Sequence, residues 1–554
     1  MLVVYPMPAS SVTANEIPVA NYGEVFTRRW VVDLILDLSG YTPDKDLANL
    51  KVVEPACGSG AFLAALVERL VESARRHGRE PASIRRAIVA RDLQAPHVAK
   101  SRMVARDALA ATGFNSRRAQ RLAREWVQQG DFLLDPPAER SVDFVVGNPP
   151  YIRLEDVSPR LSEAYREACP AMGGRSDVYI GFYERALSTL RDGGVLGYIC
   201  ADRWMRNAYG ARLRELIGRE CSVEAIVSMT AVDAFEDEVS AYPAITVLRR
   251  DKQEAGPLVV DAAPHFGAKD AGRLARVAAG RKTKSKAKAF SAARMPRWFE
   301  GPSGWPHGSP ARLATIAELE GKLPTLEDPE RKTRVGIGLA TGADKVFITD
   351  DCGLVEPERM LPMAMVRDLA SGRLDWSGSY LVNPWDRNGL VDLDHWPAMK
   401  AHLMTHKAGL RKRHTAKKSG KWHKTIDRVV DGLAERPKLY LPDFKENLFP
   451  VLDKGETYPH HNLYWITSDE WNLEVLGGIL LSEVANMFVS AYSVRMRGGY
   501  LRFQAQYLRR IRLPQLTEVD QSSQKALKSA FKKRDRAAAT AVALSLYELD
   551  EVPM

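Results

Sequence analysis

The chain of 554 residues has only five cysteines, at positions 57, 169, 200, 221 and 352, and no two of them form a CxxC pair. Neither a disulfide framework nor a zinc-ligand spacing is present, so a reducing cytoplasm fits and no metal is expected. An uninterrupted apolar run of membrane length is also missing, because residues 475–494 are broken by Glu483 and Asn486. The opening MLVVYPMPAS lacks a basic segment. Neither a signal peptide nor a membrane span is therefore expected. Internal repeats are absent as well. Acids are scarce in three places: residues 271–299, residues 407–424, and the neighbourhood of Arg495, Arg497, Arg502, Arg509 and Arg510. With a formal net charge of +10, these gaps point to a polyanionic partner more strongly than overall charge does.

What is present reads as an ordinary globular chain, 45% hydrophobic and 27% charged, and too long for one core. From residue 50 to about 250, strand-like apolar runs alternate with helix-periodic segments. Strands are expected at 51–54, 88–92, 142–146, 195–200, 225–229 and 244–248, with helices at 61–76, 178–190 and 208–217. That alternation predicts a doubly wound α/β domain with a parallel sheet. After residue 250 it is lost, and Pro, Gly, Trp and basic residues become frequent. The expected division is 1–255, 256–515 and a basic helical tail at 516–554. The middle part reads as α+β, with short strands at 346–348 and 438–441 and a helix at 473–489.

Residues 52–62, Val-Val-Glu-Pro-Ala-Cys-Gly-Ser-Gly-Ala-Phe, put Glu54 at the end of a buried strand. Small residues, Ala56 and Gly58 among them, fill the turn before a helix and let a ligand approach the backbone. The third glycine of a dinucleotide loop and the Gly-Lys-Ser/Thr of a P-loop are absent. An acid in this position repels phosphate and attracts an ammonium, so the preferred ligand carries an amino group and an adenosine, as S-adenosyl-L-methionine does. Asp92, at the end of the next strand, is placed for a ribose. Asp131-Phe132 can read an adenine edge and cover its face.

The sharpest signal is Gly147-Asn148-Pro149-Pro150-Tyr151, directly after an apolar strand. Two prolines remove two backbone donors and stiffen the loop. The Asn148 side-chain oxygen and the Pro149 carbonyl can then accept both hydrogens of one planar amino group. Such bonding makes the nitrogen more nucleophilic, and Tyr151 can stack on the ring that carries it.

These segments, in this order, resemble the γ-class N6-adenine DNA methyltransferases. Residues 23–27, ending in Thr27, look like the family's leading motif, 54–62 its cofactor loop, 131–132 its adenine contact and 148–151 its catalytic loop. Arg28 stands where the family usually has proline. The resemblance implies a Rossmann-like methyltransferase sheet followed by an α+β target-recognition domain, with residues 335–342 and 498–502 as pieces of the latter. It implies that Thr27, Glu54, Ala56, Gly58, Asp92, Asp131, Phe132 and Phe182 hold S-adenosyl-L-methionine. It further implies that Asn148, Pro149, Pro150 and Tyr151 act on the target base, with Phe235 stacking on the flipped adenine opposite Tyr151.

Double-stranded DNA is the expected partner. Its phosphates are assigned to Arg281, Lys282 and Lys284 in a mobile basic loop, to Arg411, Lys412 and Arg413, and to Arg497 and Arg502. The two ends of the chain show no paired-acid and lysine cluster, so cleavage is assigned to a separate cognate restriction endonuclease. Two other readings stay open: methylation of RNA or of a protein glutamine amide, and a DNA-binding specificity subunit without activity.

Overall fold

A computed structural model describes residues 25–553 except 81, 237–241, 281–283, 329, 331 and 494–500. The chain forms two compact units that divide between Ala314 and Thr315.

The first unit is built on ten strands: β1 (Val52–Glu54), β2 (Ile88–Asp92), β3 (Val127–Gln129), β4 (Val142–Gly147), β5 (Leu190–Ala201), β6 (Ser222–Ser228), β7 (Pro243–Arg249), β8 (Leu258–Ala262), β9 (Lys284–Lys286) and β10 (Phe290–Arg294). Their order across the sheet is β3-β2-β1-β4-β5-β7-β6-β8-β10-β9. From β3 to β5 neighbours run parallel; β7 is antiparallel to both β5 and β6. Chain order runs outward in both directions from the β1/β4 pair, the kind of switch point at which open α/β sheets bind ligands beyond their carboxyl ends.

Burial explains the regularity. Val52 and Val53 on β1 and Val145 and Val146 on β4 are fully covered, as central parallel strands with helices on both faces require. Helix Ala61–Arg76 sinks Leu63, Leu66, Val67 and Leu70 into the core and ends with Arg75 and Arg76 near its carboxyl terminus, where cations favour the dipole. Helix Arg29–Ser39 buries Val31, Val32, Ile35 and Leu36. It approaches β5 so closely that a Cβ on Gly197 would lie 2.1 Å from the Ser39 hydroxyl oxygen.

All six expected strands form, and the expected helices appear at Ala61–Arg76, Tyr179–Thr189 and Ala211–Glu220. The expected boundary at 255/256 is corrected to 314/315, because β8 pairs with β6 and carries β10 and β9 into the same sheet. The expected mobile basic loop is corrected too. Apart from 281–283, which lie outside the described residues, it consists of helix Ala268–Ala279 and strands β9 and β10.

The second unit holds an antiparallel sheet in the order Thr333–Ile337, Leu463–Ser468, Lys438–Pro442, Val451–Asp453, and a mixed sheet in the order Ile348–Thr349, Tyr380–Val382, Met360–Ala364, Tyr458–Pro459. Of the strand expected at 346–348 only Ile348 is extended, at the start of Ile348–Thr349; Val346 and Phe347 belong to a short helix, Asp344–Phe347, whose first carboxylate accepts a bond from the Thr341 hydroxyl. The helix expected at 473–489 is two helices, Leu473–Leu481 and Glu483–Tyr492, bent by 65°. Ser482 causes the break: its hydroxyl caps the second helix by accepting from the Ala485 N–H. Residues 516–553 are no separate tail, since Gln521–Lys533 and Arg536–Leu546 pack on Leu473–Leu481 and bury Leu527, Phe531 and Ala539. Among the described residues no single helix is long and apolar enough to cross a membrane, and all five cysteines are free.

Candidate active site

The carboxyl ends of β1, β2 and β4 open into a cleft. Glu54, Ala56, Gly58, Asp92, Asp131, Phe132, Phe182, Asn148, Pro150 and Thr27 all line it. Residues more than 150 positions apart, expected from separate motifs, are thus brought together.

Gly58 shapes the first wall. It adopts φ +48°, a left-handed conformation that favours glycine, and its N–H donates to Asp92 Oδ2 at 2.9 Å. Asp92 Oδ1 accepts from the Gln94 N–H, also at 2.9 Å. The loop after β1 is therefore tied to the end of β2 by a carboxylate that keeps spare lone pairs at the cleft. Glu54 is 1% exposed, and its Oε2 has no hydrogen-bond partner among the described residues. Burial, together with the nearby Asp92 charge, pushes its carboxyl well above the usual range. Such a group is held ready for a donor or a cation.

Asp131 accepts from the Tyr165 hydroxyl at 2.7 Å and from the Leu133 N–H at 2.9 Å, while burial raises its carboxyl. Phe132 and Phe182 stack on each other, centroids 5.7 Å apart, as one apolar wall. Tyr165, His97 and Phe26 also line the cleft, and sequence reasoning missed them. Tyr165 sits in an unremarkable helix, Pro159–Ala168, and nothing in its local pattern marks it. His97, whose Nδ1 lies 3.4 Å from Asp92 Oδ1, has a weak signal in its place five residues after that acid.

At the end of β4, the Asn148 amide is oriented by the segment before the first helix. Its Nδ2 donates to the Val25 carbonyl (2.9 Å) and to Thr27 Oγ1 (3.3 Å), leaving Oδ1 buried with no partner among the described residues. That atom can accept a hydrogen from a planar amine entering the cleft. Thr27, expected at the cofactor, thus also holds Asn148.

Residues 25–28 pair with 233–236. Thr27 and Phe235 form an antiparallel bridge, and the Glu236 N–H donates to the Phe26 carbonyl. Arg28 accounts for its own departure from the family pattern: its N–H donates to the Ala234 carbonyl at 3.1 Å and its guanidinium to Asp233 at 2.6 Å. Proline could form neither bond. Phe235 and Tyr151, expected to face each other across a base, stand edge to face, with centroids 6.5 Å apart and planes at 83°. There is no parallel slot between them. Neither ring lines the cleft itself, and Pro149 is buried beside it.

The basic residues divide. Arg411 and Lys412 on helix Lys407–Lys412, and Lys417 and Lys418 on His414–Ser419, are exposed. Arg413 is committed within the fold instead. It donates to the carbonyls of Thr341, Trp422 and Lys424, lies over the Phe347 ring, and has its pKa lowered by burial. Arg502 pairs with Asp443 at 3.3 Å and covers the Phe444 ring. Lys284 lies on β9, while Arg281, Lys282 and Arg497 fall outside the described residues.

Residues 105–235, which include Asp131, the 148–151 loop and Phe235, match the Eco57I restriction-modification methylase family. The chain is 43% identical over 538 residues to the Type II methyltransferase M.XhoI of Xanthomonas vasicola, covering 96% of this chain and 97% of that one. To M.PaeR7I of Pseudomonas aeruginosa it is 41% identical over 550 residues, or 98% and 94% of the two chains. In fold it is similar to the Type IIL restriction-modification enzyme MmeI solved in complex with DNA, at 12% identity and a TM-score of 0.54, over 94% of this chain and 74% of that one. The segment that matches the restriction-modification methylase family lies within the first unit. The chain belongs to the Type II methyltransferases, the DNA methyltransferases of restriction-modification systems, as the motifs led one to expect.

Proposed function

We propose that the chain methylates the N6 amino group of adenine at a specific site in double-stranded DNA, using S-adenosyl-L-methionine. The observation that carries the reading is the Asn148 amide: its nitrogen is occupied by Val25 and Thr27, and its oxygen is buried, without a partner among the described residues, on a side chain that lines the same cleft as Glu54. The cofactor supplies a methyl group already activated on a sulfonium. The residues present fit it. Orphaned Glu54 takes hydroxyl or ammonium donors, Asp92 the ribose, and Asp131 an adenine amino group against the Phe132–Phe182 wall.

Asn148 Oδ1 and the Pro149 carbonyl accept from the target amino group and align its lone pair, so catalysis is mainly orientation. A duplex adenine reaches them only when flipped out. Tyr151 or Phe235 turns from the edge-to-face pair to stack on it, recovering about 1–3 kcal/mol. The second unit serves as the target-recognition domain. The protein works in the cytoplasm beside a separate cognate endonuclease. Duplex DNA oligonucleotides methylated with labelled cofactor and digested to nucleosides test this: label in N6-methyl-2′-deoxyadenosine is expected, and label in a deoxycytidine, in RNA alone or in protein overturns it.

Two variants probe the site. Glu54→Gln should weaken cofactor binding by roughly 10- to 150-fold, the loss of a charge-assisted bond worth about 1.5–3 kcal/mol. The sign of its pH effect follows from a folded pKa raised above the unfolded one. Stability owed to the protonated carboxyl is present below the ordinary value and lost as pH rises through the folded value. Without cofactor, the variant should therefore melt no lower than wild type on the alkaline side; calorimetry measures both effects. Thr27→Val should lower kcat several-fold while leaving cofactor affinity near wild type, because the Asn148 amide then rests on the Val25 carbonyl alone. A loss confined to cofactor affinity would instead return Thr27 to the cofactor.

A further inference from the structure

The second unit carries a side-chain cluster that the methyl transfer does not use. His460 and His461 follow strand Tyr458–Pro459, and Asp344 opens a helix 116 residues away from His460 in sequence. Backbone bonds fix both sides. Leu339 and His460 form a parallel bridge, the His461 N–H donates to the Leu339 carbonyl, and the His460 N–H donates to the Ala364 carbonyl, both at 3.1 Å. The Thr341 hydroxyl donates to Asp344 Oδ1, leaving Oδ2 facing His460 Nε2 at 3.3 Å.

One ligand atom from each of Asp344, His460 and His461 lies within 4.8 Å of the other two. His460 is 3% exposed and turns its Nε2 toward Asp344, while the Nδ1 of His461 is buried without a hydrogen-bond partner among the described residues. Native interiors rarely leave such atoms unused. Asp344 is exposed, so the cluster is open to solvent.

The 3.3 Å gap between His460 Nε2 and Asp344 Oδ2 closes as a direct hydrogen bond, and it is also the edge of a tetrahedron around an ion bound at about 2.0–2.1 Å. Rotation of the half-buried His461 ring closes the set.

We propose that Asp344, His460 and His461 bind one divalent cation of the zinc class, with water completing the coordination. The donor set of two imidazoles and one carboxylate selects this class over magnesium or calcium, which take oxygen ligands, and over copper(I), which favours sulfur. Bound there, the ion staples the 339–344 turn to the 458–461 segment and stabilises the second unit by linkage.

The test uses the full chain without a histidine tag, stripped with chelator and titrated with zinc alone, and with cobalt as a visible reporter of nitrogen and oxygen ligation. Wild type should bind one equivalent at the site and melt at a higher temperature with zinc. Asp344→Asn and His461→Gln, both at positions that are not fully buried, should keep the metal-free melting temperature. Each should weaken zinc binding by at least the roughly 10- to 100-fold that loss of even an outer-shell partner costs. If wild type takes up no zinc at micromolar concentration, or both variants bind it as tightly as wild type, the proposal is wrong.

Discussion

Asn148→Ala should reduce methyl transfer to background while cofactor affinity stays within a few-fold of wild type. The variant removes a side-chain oxygen at the end of β4 that is buried, on the cleft wall and without a partner among the described residues. Loss of a single oriented hydrogen-bonding group at a reacting centre costs about 10²–10³ in rate. Here the loss is compounded, because Asn148 also ties the 148–151 loop to Val25 and Thr27. Glu54, Asp92 and Phe182, the residues proposed to hold the cofactor, are untouched. A tritiated-methyl assay paired with calorimetry reads both quantities. Activity within a few-fold of wild type would show that some other group orients the acceptor.

Neutralising Arg411, Lys412, Lys417 and Lys418 together should weaken binding to cognate and scrambled duplexes by similar factors. These four side chains are exposed on two consecutive short helices in an acid-free stretch. Bonds to the phosphate backbone position a protein without specifying sequence, and each neutralised phosphate releases counterions. The slope of log K against log salt should become shallower by about 0.9 for every phosphate that the variant leaves unneutralised. Arg413 serves as the internal control. Its guanidinium is committed to the carbonyls of Leu410, Thr341, Trp422 and Lys424, so Arg413→Ala should lower the melting temperature of the second unit and leave the salt slope unchanged. An unchanged slope in the fourfold variant would make the run a solvated face. Selective collapse of cognate binding would instead assign these residues to base reading.

The catalytic half is legible because its signals are local and its geometry is generic. A buried parallel strand reads as a continuous apolar run, and Val52–Glu54, Ile88–Asp92 and Val142–Gly147 each carry the expected residue at or beside the end that faces the cleft. What escapes depends on neighbours that no local pattern records. The domain boundary is misplaced in the sequence because β9 and β10 lie in a basic stretch, and only pairing with β8 makes them sheet. Arg413 looks like its neighbours until its bonds to carbonyls as far away as Thr341 are visible. Asn148 is expected from its motif, but the orientation of its amide comes from a segment 121–123 residues earlier. The Tyr151–Phe235 pair is expected as an open clamp, whereas the two rings fill the space between them with each other.

Single-molecule sequencing of DNA from cells expressing the chain, beside cells expressing the Asn148→Ala variant, tests the central claim most directly. The account predicts N6-methyladenine at one recurring sequence in the first sample and none above background in the second. Methylated cytosine, unmodified DNA in the first sample, or the same adenine mark in both would contradict it.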